Sequence, residues 1–396
     1  MSTTQVLLGT SLLTFRSSEL EELEDCNDIM DNRDLLMERL HDKGYLFIRQ
    51  LHDRNEVLQA RTKVLEHLYE VKPSSFDPTK PLEEGVLKDT EATTPLTNME
   101  GRNSITHSEP LLKVFEGERV KKFFRMLFNE EPRTFDFKWL RAIHKGGFTG
   151  AHVDNVYMSR GTNKLLTCWT PIGDVTMDMG TLAMCEGSHS LPGFSYFQET
   201  YGSLDLEKEG VEGSGWFTED ANEITKRFGG KWKTANFRAG DVLVFTQRTV
   251  HMSSVNTTCL ARISCDTRWL PASEPADPRF VGNFSNPSGP KFGIYGRDVK
   301  PDEKGVNVVS RDKILDNAVV FNDPLTKEAD RQTDGQIDRQ TDRQTIRQTN
   351  RQTDGQTDEQ TDRRSDRRSD RQTDGQTDRQ TDRQTDRQTD RQKRDK

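Results

Sequence analysis

A mainly β domain with flanking helices, closing into a double-stranded β-helix (jelly-roll) core and trailing a disordered repeat tail, is the fold class this sequence predicts. Three observations lead there. Short apolar runs follow one another from residue 134 to residue 269, parted by turn signals such as Lys145-Gly146-Gly147, Arg160-Gly161-Thr162-Asn163, Asp178-Met179-Gly180 and Arg238-Ala239-Gly240-Asp241. Helical apolar spacing precedes those runs and flanks them. From Asp330 to Lys396 the chain cycles through Asp-Arg-Gln-Thr, with Ile337 and Ile346 as its only aliphatic residues and no aromatic one. Helices followed by many short strands suggest two packed sheets with helical buttresses.

The elements follow in order. Residues 33–41 place Leu35, Leu36 and Leu40 at helical spacing and stop near Gly44. Residues 45–49 read as a strand, and 55–69 as a second helix with Val57, Leu58, Val64, Leu65 and Leu68 inward. Residues 72–104, rich in Pro, Thr and acidic groups, read as a long loop, and 108–128 carry two helical stretches. Strands are expected at 134–143, 151–157, 164–172, 180–186, 234–237, 241–246, 249–256 and 261–269. Residues 187–232 interrupt them with Gly, Ser and aromatic residues and a helix over 219–228. Such an insertion is expected to cap a barrel mouth in the manner of a lid. The expected organisation is an N-terminal segment 1–32, a domain 33–305, a linker 306–329 and the repeat 330–396.

The repeat holds 17 Lys and Arg against 16 Asp and Glu, a net +1, so residues 1–329 carry −9 of the whole-chain −8. It buries too little apolar surface to offset the entropy of ordering, so disorder is expected. Its four-residue cycle is what the tetranucleotide GACA gives in every frame, so it reads as a translated repeat. An arginine-rich RNA-binding tail is disfavoured, because each Arg is balanced by a nearby Asp. The acidic remainder offers no basic field for nucleic acid.

The cysteines Cys26, Cys168, Cys185, Cys259 and Cys265 form no CxxC and read as reduced, mostly buried thiols. No stretch has the length of a membrane span, and Val6 to Leu13 has no basic region before it to make a secretory signal. The expected setting is cytoplasmic, with peroxisome or mitochondrion as alternatives. The expected partner is a small-molecule substrate, and the expected state a monomer or homodimer.

The chemistry is concentrated in His152-Val153-Asp154, His251 and Arg262. Residues i and i+2 of an extended chain share a face, so His152 and Asp154 can address one metal. His251 would complete two imidazoles and one carboxylate, a set that leaves the opposite face of an Fe(II) ion open. Arg262 offers a fixed, charged fork for a carboxylate. By alternation Ser264, Asp266 and Arg268 share its face, and Arg268 is the rival for that clamp. Arg141, Asn155 and Tyr157 are candidates for contacts to substrate or for support of the ligands. A lone HxD is weak evidence. The gain comes from the glycine-rich turn before it and from Gly240-Asp241-Val242-Leu243-Val244-Phe245, a turn and buried run leading to His251.

Over roughly residues 33–290 the chain resembles the phytanoyl-CoA dioxygenase family of iron- and 2-oxoglutarate-dependent oxygenases. The resemblance rests on Trp139-Leu140-Arg141-Ala142, His152-Val153-Asp154, Leu166-Thr167-Cys168-Trp169-Thr170-Pro171, Gly180-Thr181-Leu182, Glu186-Gly187-Ser188-His189, the Gly240–Phe245 run, His251-Met252-Ser253 and Arg262-Ile263-Ser264-Cys265. It implies His152, Asp154 and His251 as iron ligands, Arg262 and Ser253 on the far carboxylate of 2-oxoglutarate, and Trp169 lining that pocket. It further implies Fe(II), 2-oxoglutarate and O2 as cofactor and co-substrates, with ascorbate as an optional reductant, and hydroxylation of a substrate C–H with release of succinate and CO2. A retained Asp154 favours hydroxylation over halogenation. Two other readings are a non-catalytic binding protein of the same fold and a cupin-like metalloenzyme that does not use 2-oxoglutarate.

Overall fold

The computed structural model describes residues 4–88, 96, 98–211 and 213–282. The expected linker 306–329, the repeat 330–396 and residues 283–305 lie outside the described residues.

The chain opens with strands β1 (Gln5–Leu8), β2 (Ser11–Thr14) and β3 (Leu20–Glu22). Helix α1 (Arg33–Lys43), strand β4 (Tyr45–Ile48), and helices α2 (Arg54–Val71), α3 (Glu109–Phe115) and α4 (Glu118–Phe128) follow. Asn32 caps α1 by accepting from the Leu35 N–H, and Gly44, at φ +82°, ends it by returning its own N–H to Leu40. Asp53 caps α2 in the same way, accepting from the N–H groups of Asn55 and Glu56. The remaining strands are β5 (Pro132–Thr134), β6 (Trp139–Ile143), β7 (Leu166–Pro171), β8 (Leu182–Glu186), β9 (Lys231–Thr234), β10 (Val242–Thr246), β11 (His251–Ser253) and β12 (Arg262–Pro271). Between β8 and β9 lie helices α5 (Ser195–Glu199) and α6 (Ala221–Phe228).

Two sheets make the core, as the jelly-roll expectation requires. The larger runs β4-β10-β7-β12-β5, with β6 also on β12, and the smaller runs β11-β8-β9-β3. Strand alternation sorts the larger sheet's side chains. Tyr45, Phe47, Leu243, Phe245 and Trp169 face inward and pack with Leu182 and Met184 of the smaller sheet. Their neighbours Leu46, Ile48, Val242, Val244 and Cys168 face outward, under Leu36, Leu40, Phe123 and Phe124 of α1 and α4. Helices α2 and α3 cover the next part of that face, where Leu111, Val64 and Leu65 meet Leu140, Ile263 and Cys265. All ten residues of β12 are buried, so the strand that carries Arg262 is covered on both faces.

Four elements depart from the sequence expectation. Residues 134–143 are not one strand: β5 and β6 pair separate parts of β12, and between them Phe135, whose N–H still donates to Arg268 O (3.1 Å), and Phe137 pack on Phe280. Residues 151–157 pair only at Ala151 and His152, after which Asp154–Val156 form one turn of 3-10 helix. The strand expected at 234–237 lies earlier, as β9, because Lys231 and Lys233 occupy it and are neutralised by Glu21, Glu24 and Glu186. Charged residues in so short a strand hide it from hydropathy. The N-terminal segment is built into the domain, with β3 parallel to β9 and Leu8 and Leu20 fully buried. Its strands are three or four residues long, too short for a periodic signal.

Candidate active site

The site begins as backbone. His152 and His251 exchange both N–H···O=C bonds (3.1 and 3.0 Å), an antiparallel pair that sets two imidazoles side by side. Val153 is extended (φ −119°, ψ 142°), so Asp154 returns to the His152 side before the chain turns into the 3-10 helix. The i, i+2 geometry therefore survives although the strand does not. A bond from Asn155 N–H to Gln247 O (2.8 Å) ties that turn to the β10–β11 connection.

The three side chains converge. Nε2 of His152 and of His251 lie 4.0 and 3.9 Å from Asp154 Oδ1, and one ligand atom from each residue falls within 4.8 Å of the others. All three are buried. Each imidazole donates its Nδ1–H to a backbone carbonyl, His152 to Gly150 (2.8 Å) and His251 to Thr249 (3.0 Å). That tautomer leaves both Nε2 lone pairs facing the centre, the form a metal requires. Burial, then the neighbouring His251, press the His152 pKa down to about 3, and burial lowers that of His251. Burial alone would raise Asp154, but Arg268 and the two imidazoles outweigh it and hold the carboxyl at about 2. The set is thus two neutral nitrogens and one carboxylate, a donor set that fits a divalent iron.

Asp154 is also held from behind. Arg268 donates NH1 to Oδ2 (2.9 Å) and NH2 to Oδ1 (3.2 Å), and Thr167 Oγ1 donates to Oδ2 (2.6 Å). Arg268 NH1 also donates to the Thr167 hydroxyl, and the guanidinium stacks 4.6 Å from the Trp139 ring centroid. Sequence reading named Arg268 as a rival clamp for a co-substrate. The structure gives it to Asp154.

Arg262 opens into the same cavity, whose walls include Trp169, Ser253, Tyr157, Met158 and Leu182. It is 3% exposed, and among the described residues no carboxylate lies in ion-pair range of it. NH1 donates to Ser264 Oγ at 2.5 Å, while Nε has no partner among the described residues. Burial, then the charge of Arg141, lower its pKa to about 10, so it stays cationic at neutral pH. A buried cation without an anion is costly unless a ligand supplies one. Ser253 Oγ accepts from Thr149 N–H (2.8 Å), which leaves its hydroxyl proton to donate. Trp169 is 3% exposed and packs edge-on to Phe237 (4.9 Å).

The three other candidates divide. Tyr157 lines the cavity, its ring edge-on to His152 and its hydroxyl donated to Ser214 O (2.7 Å). Arg141 also lines it but is held between Glu100 (2.6 Å) and Asp266 (2.5 Å), so an ion-pair role displaces the substrate-carboxylate one. Asn155 points away from the cavity and donates to Gly202 O (2.7 Å). It anchors the 187–232 insertion, whose Phe194, Phe197 and Leu206 share one apolar cluster with Val153 and Val156. Thr167 was missed, because a threonine within an apolar strand carries no sequence signal of its own.

Paired imidazoles, one carboxylate and a buried arginine with no carboxylate in ion-pair range among the described residues, all on jelly-roll sheets, fit an iron- and 2-oxoglutarate-dependent oxygenase. The family model "Phytanoyl-CoA dioxygenase (PhyH)" matches residues 40–264, more than half of the chain, and the chain belongs to that family. Among its relatives is a 1-deoxypentalenic acid 11-beta-hydroxylase of Streptomyces exfoliatus, 25% identical over 264 residues, covering 64% of this chain and 87% of that protein. Solved structures similar to it include HygX from Streptomyces hygroscopicus with nickel and 2-oxoglutarate bound (16% identity, 61% of this chain, 87% of that one, TM-score 0.41). EctD from S. alaskensis in its apoform is another (17% identity, 69% and 87%, TM-score 0.43). Among the described residues no helix is long and apolar enough to cross a membrane.

Proposed function

We propose that this enzyme hydroxylates a C–H bond of a small-molecule or acyl substrate while converting 2-oxoglutarate and O2 to succinate and CO2. The observation that carries the reading is Arg262, a buried guanidinium with no carboxylate in ion-pair range among the described residues, in the cavity of the His152–Asp154–His251 cluster. A cupin-like metal site without a 2-oxo acid leaves that charge unexplained, and a non-catalytic pocket leaves the oriented imidazoles unexplained.

Each residue then has a task. His152, Asp154 and His251 would hold the iron by three positions on one side. Fe(II), when bound with 2-oxoglutarate, supplies the O2 activation that side chains lack. Arg262 would bind the distal carboxylate of 2-oxoglutarate through its fork, and Ser253 would donate a second hydrogen bond to it. Trp169 would wall the co-substrate, and Tyr157, Met158, Leu182 and Trp139, which line the same cavity, would exclude water from it. With Asp154 retained as a ligand residue, hydroxylation rather than halogenation would be the expected outcome.

The test is succinate formation by the full chain with Fe(II), 2-oxoglutarate and O2, with and without Arg262→Ala. The reading expects turnover whose 2-oxoglutarate requirement rises steeply in the variant. Turnover of metal-loaded protein that is indifferent to 2-oxoglutarate supports the cupin-like alternative, and no turnover with any 2-oxo acid supports the non-catalytic one.

A further inference from the structure

We infer that Arg268 is a positioning residue that, with Thr167, restricts Asp154 to one metal-facing oxygen and so keeps a coordination position open for the 2-oxo acid. The inference rests on the iron and 2-oxoglutarate reading above.

The geometry divides the two oxygens of Asp154. Oδ2 accepts from Arg268 NH1 (2.9 Å) and from the Thr167 hydroxyl (2.6 Å), which fills its in-plane lone pairs. Among the described residues Oδ1 accepts only the longer bond from Arg268 NH2 (3.2 Å), and it is the oxygen near both imidazole nitrogens (4.0 and 3.9 Å). A carboxylate with both oxygens free can bind a metal through either one or both. Here rotation about the Cβ–Cγ bond would break a forked ion pair and a hydroxyl bond together. The fork is itself fixed. Arg268 is 2% exposed, stacked on Trp139, and drawn by Asp266 at 3.9 Å, which pairs with Arg141, itself paired with Glu100.

A chelating 2-oxo acid needs two adjacent positions beside three protein ligands, and O2 needs one more. Bidentate binding by Asp154 would consume one of them. Loss of the fork is therefore expected to weaken every 2-oxo acid more than it weakens iron, including those without a distal carboxylate. Loss of Arg262 affects only ligands that carry the distal carboxylate. That contrast separates the two arginines.

The experiment is anaerobic calorimetry on the full-length protein, titrating Fe(II) first and then 2-oxoglutarate or pyruvate. In Arg268→Met saturated with Fe(II), 2-oxoglutarate and pyruvate are each expected to be weakened about 10–100-fold, by more than Fe(II) itself is weakened. Arg268→Lys keeps the charge but not the fork and is expected not to restore them. Thr167→Val, nearly isosteric and gentler on folding, is expected to weaken both ligands in the same direction by a smaller factor. Wild-type binding of both acids in Arg268→Met and Thr167→Val overturns the inference, as does loss confined to 2-oxoglutarate. Failure of wild-type protein to bind iron or 2-oxoglutarate overturns the functional reading instead.

Discussion

His152 and His251 stand 99 positions apart in the chain, yet each donates its backbone N–H to the other's carbonyl, at 3.1 and 3.0 Å. Their ring centroids are 4.2 Å apart. The metal site is thus closed by main-chain pairing between a turn and a three-residue strand, and side-chain chemistry is laid on that frame. Predictions follow from which part of the arrangement is disturbed.

Asp154→Ala removes the one anion among the proposed ligands. Because substitutions merely behind a ligand typically cost about 10–100-fold in metal affinity or activity, loss of the ligand itself is expected to cut succinate formation by more than about a hundredfold. The thermal unfolding curve reports whether the fold remains. A variant that folds and turns over as wild type contradicts the assignment of Asp154.

Arg262→Ala leaves the distal carboxylate of 2-oxoglutarate without its buried cation. Breaking such a pair costs roughly 2–5 kcal/mol, about 30-fold to several thousandfold in apparent 2-oxoglutarate affinity. The rise belongs in KM for 2-oxoglutarate at fixed iron, with the iron requirement little changed. Equal loss for iron and 2-oxoglutarate would make Arg262 structural.

His52 supplies a pH signature away from the site. Burial, with Arg119 nearby, lowers its pKa from 6.5 to about 4. The folded form therefore binds fewer protons than the unfolded form between those values. Stability contributed by the neutral ring is present above pH 6.5 and is lost as pH falls toward 4 and below. Each such group contributes a slope of up to about 1.4 kcal/mol per pH unit. Urea unfolding from pH 7 to pH 4 is expected to show a shallower acid decline in His52→Leu than in wild type. An unchanged slope removes His52 from the account.

Gly9 joins β1 to β2 at φ +59°, and a Cβ there would sit 2.0 Å from Glu219 O and 2.6 Å from Met252 Cε. That hairpin is pinned to both the insertion and the segment just after β11, because Thr10 N–H donates to Glu219 O and Val255 N–H to Leu7 O. Gly9→Val is expected to destabilise the domain by more than about 2 kcal/mol, combining an unfavourable φ with a backbone clash. A midpoint of denaturation equal to wild type would show that the hairpin carries no stability.

Much of this was legible in the chain because it rests on local patterns. The α1 stop at Gly44, the apolar face of α2 and the alternation of Arg262, Ser264, Asp266 and Arg268 on β12 all follow from spacing and turn chemistry. The irregular parts were hidden because partners far along the chain decide them. Asp154 begins a 3-10 turn, since Asn155 is tied to Gln247 and Gly202, and Val153 preserves the shared face that a strand was expected to provide. Arg268 was visible as a charge on the correct face, but its partner could not be read from alternation. Arg262 and Arg268 differ in what stands opposite them, and that is set by packing. The 187–232 insertion, expected as a lid, contributes Phe194, Phe197 and Leu206 to the apolar core behind Val153 and Val156.

The most direct test of the central claim is an anaerobic titration of the full chain with Fe(II) and then 2-oxoglutarate, followed by visible absorption. The account predicts one iron per chain and, on adding 2-oxoglutarate, the charge-transfer absorption of a chelated 2-oxo acid, absent in Asp154→Ala and requiring far more 2-oxoglutarate in Arg262→Ala. Iron binding with no such absorption, or no iron binding at all, would contradict it.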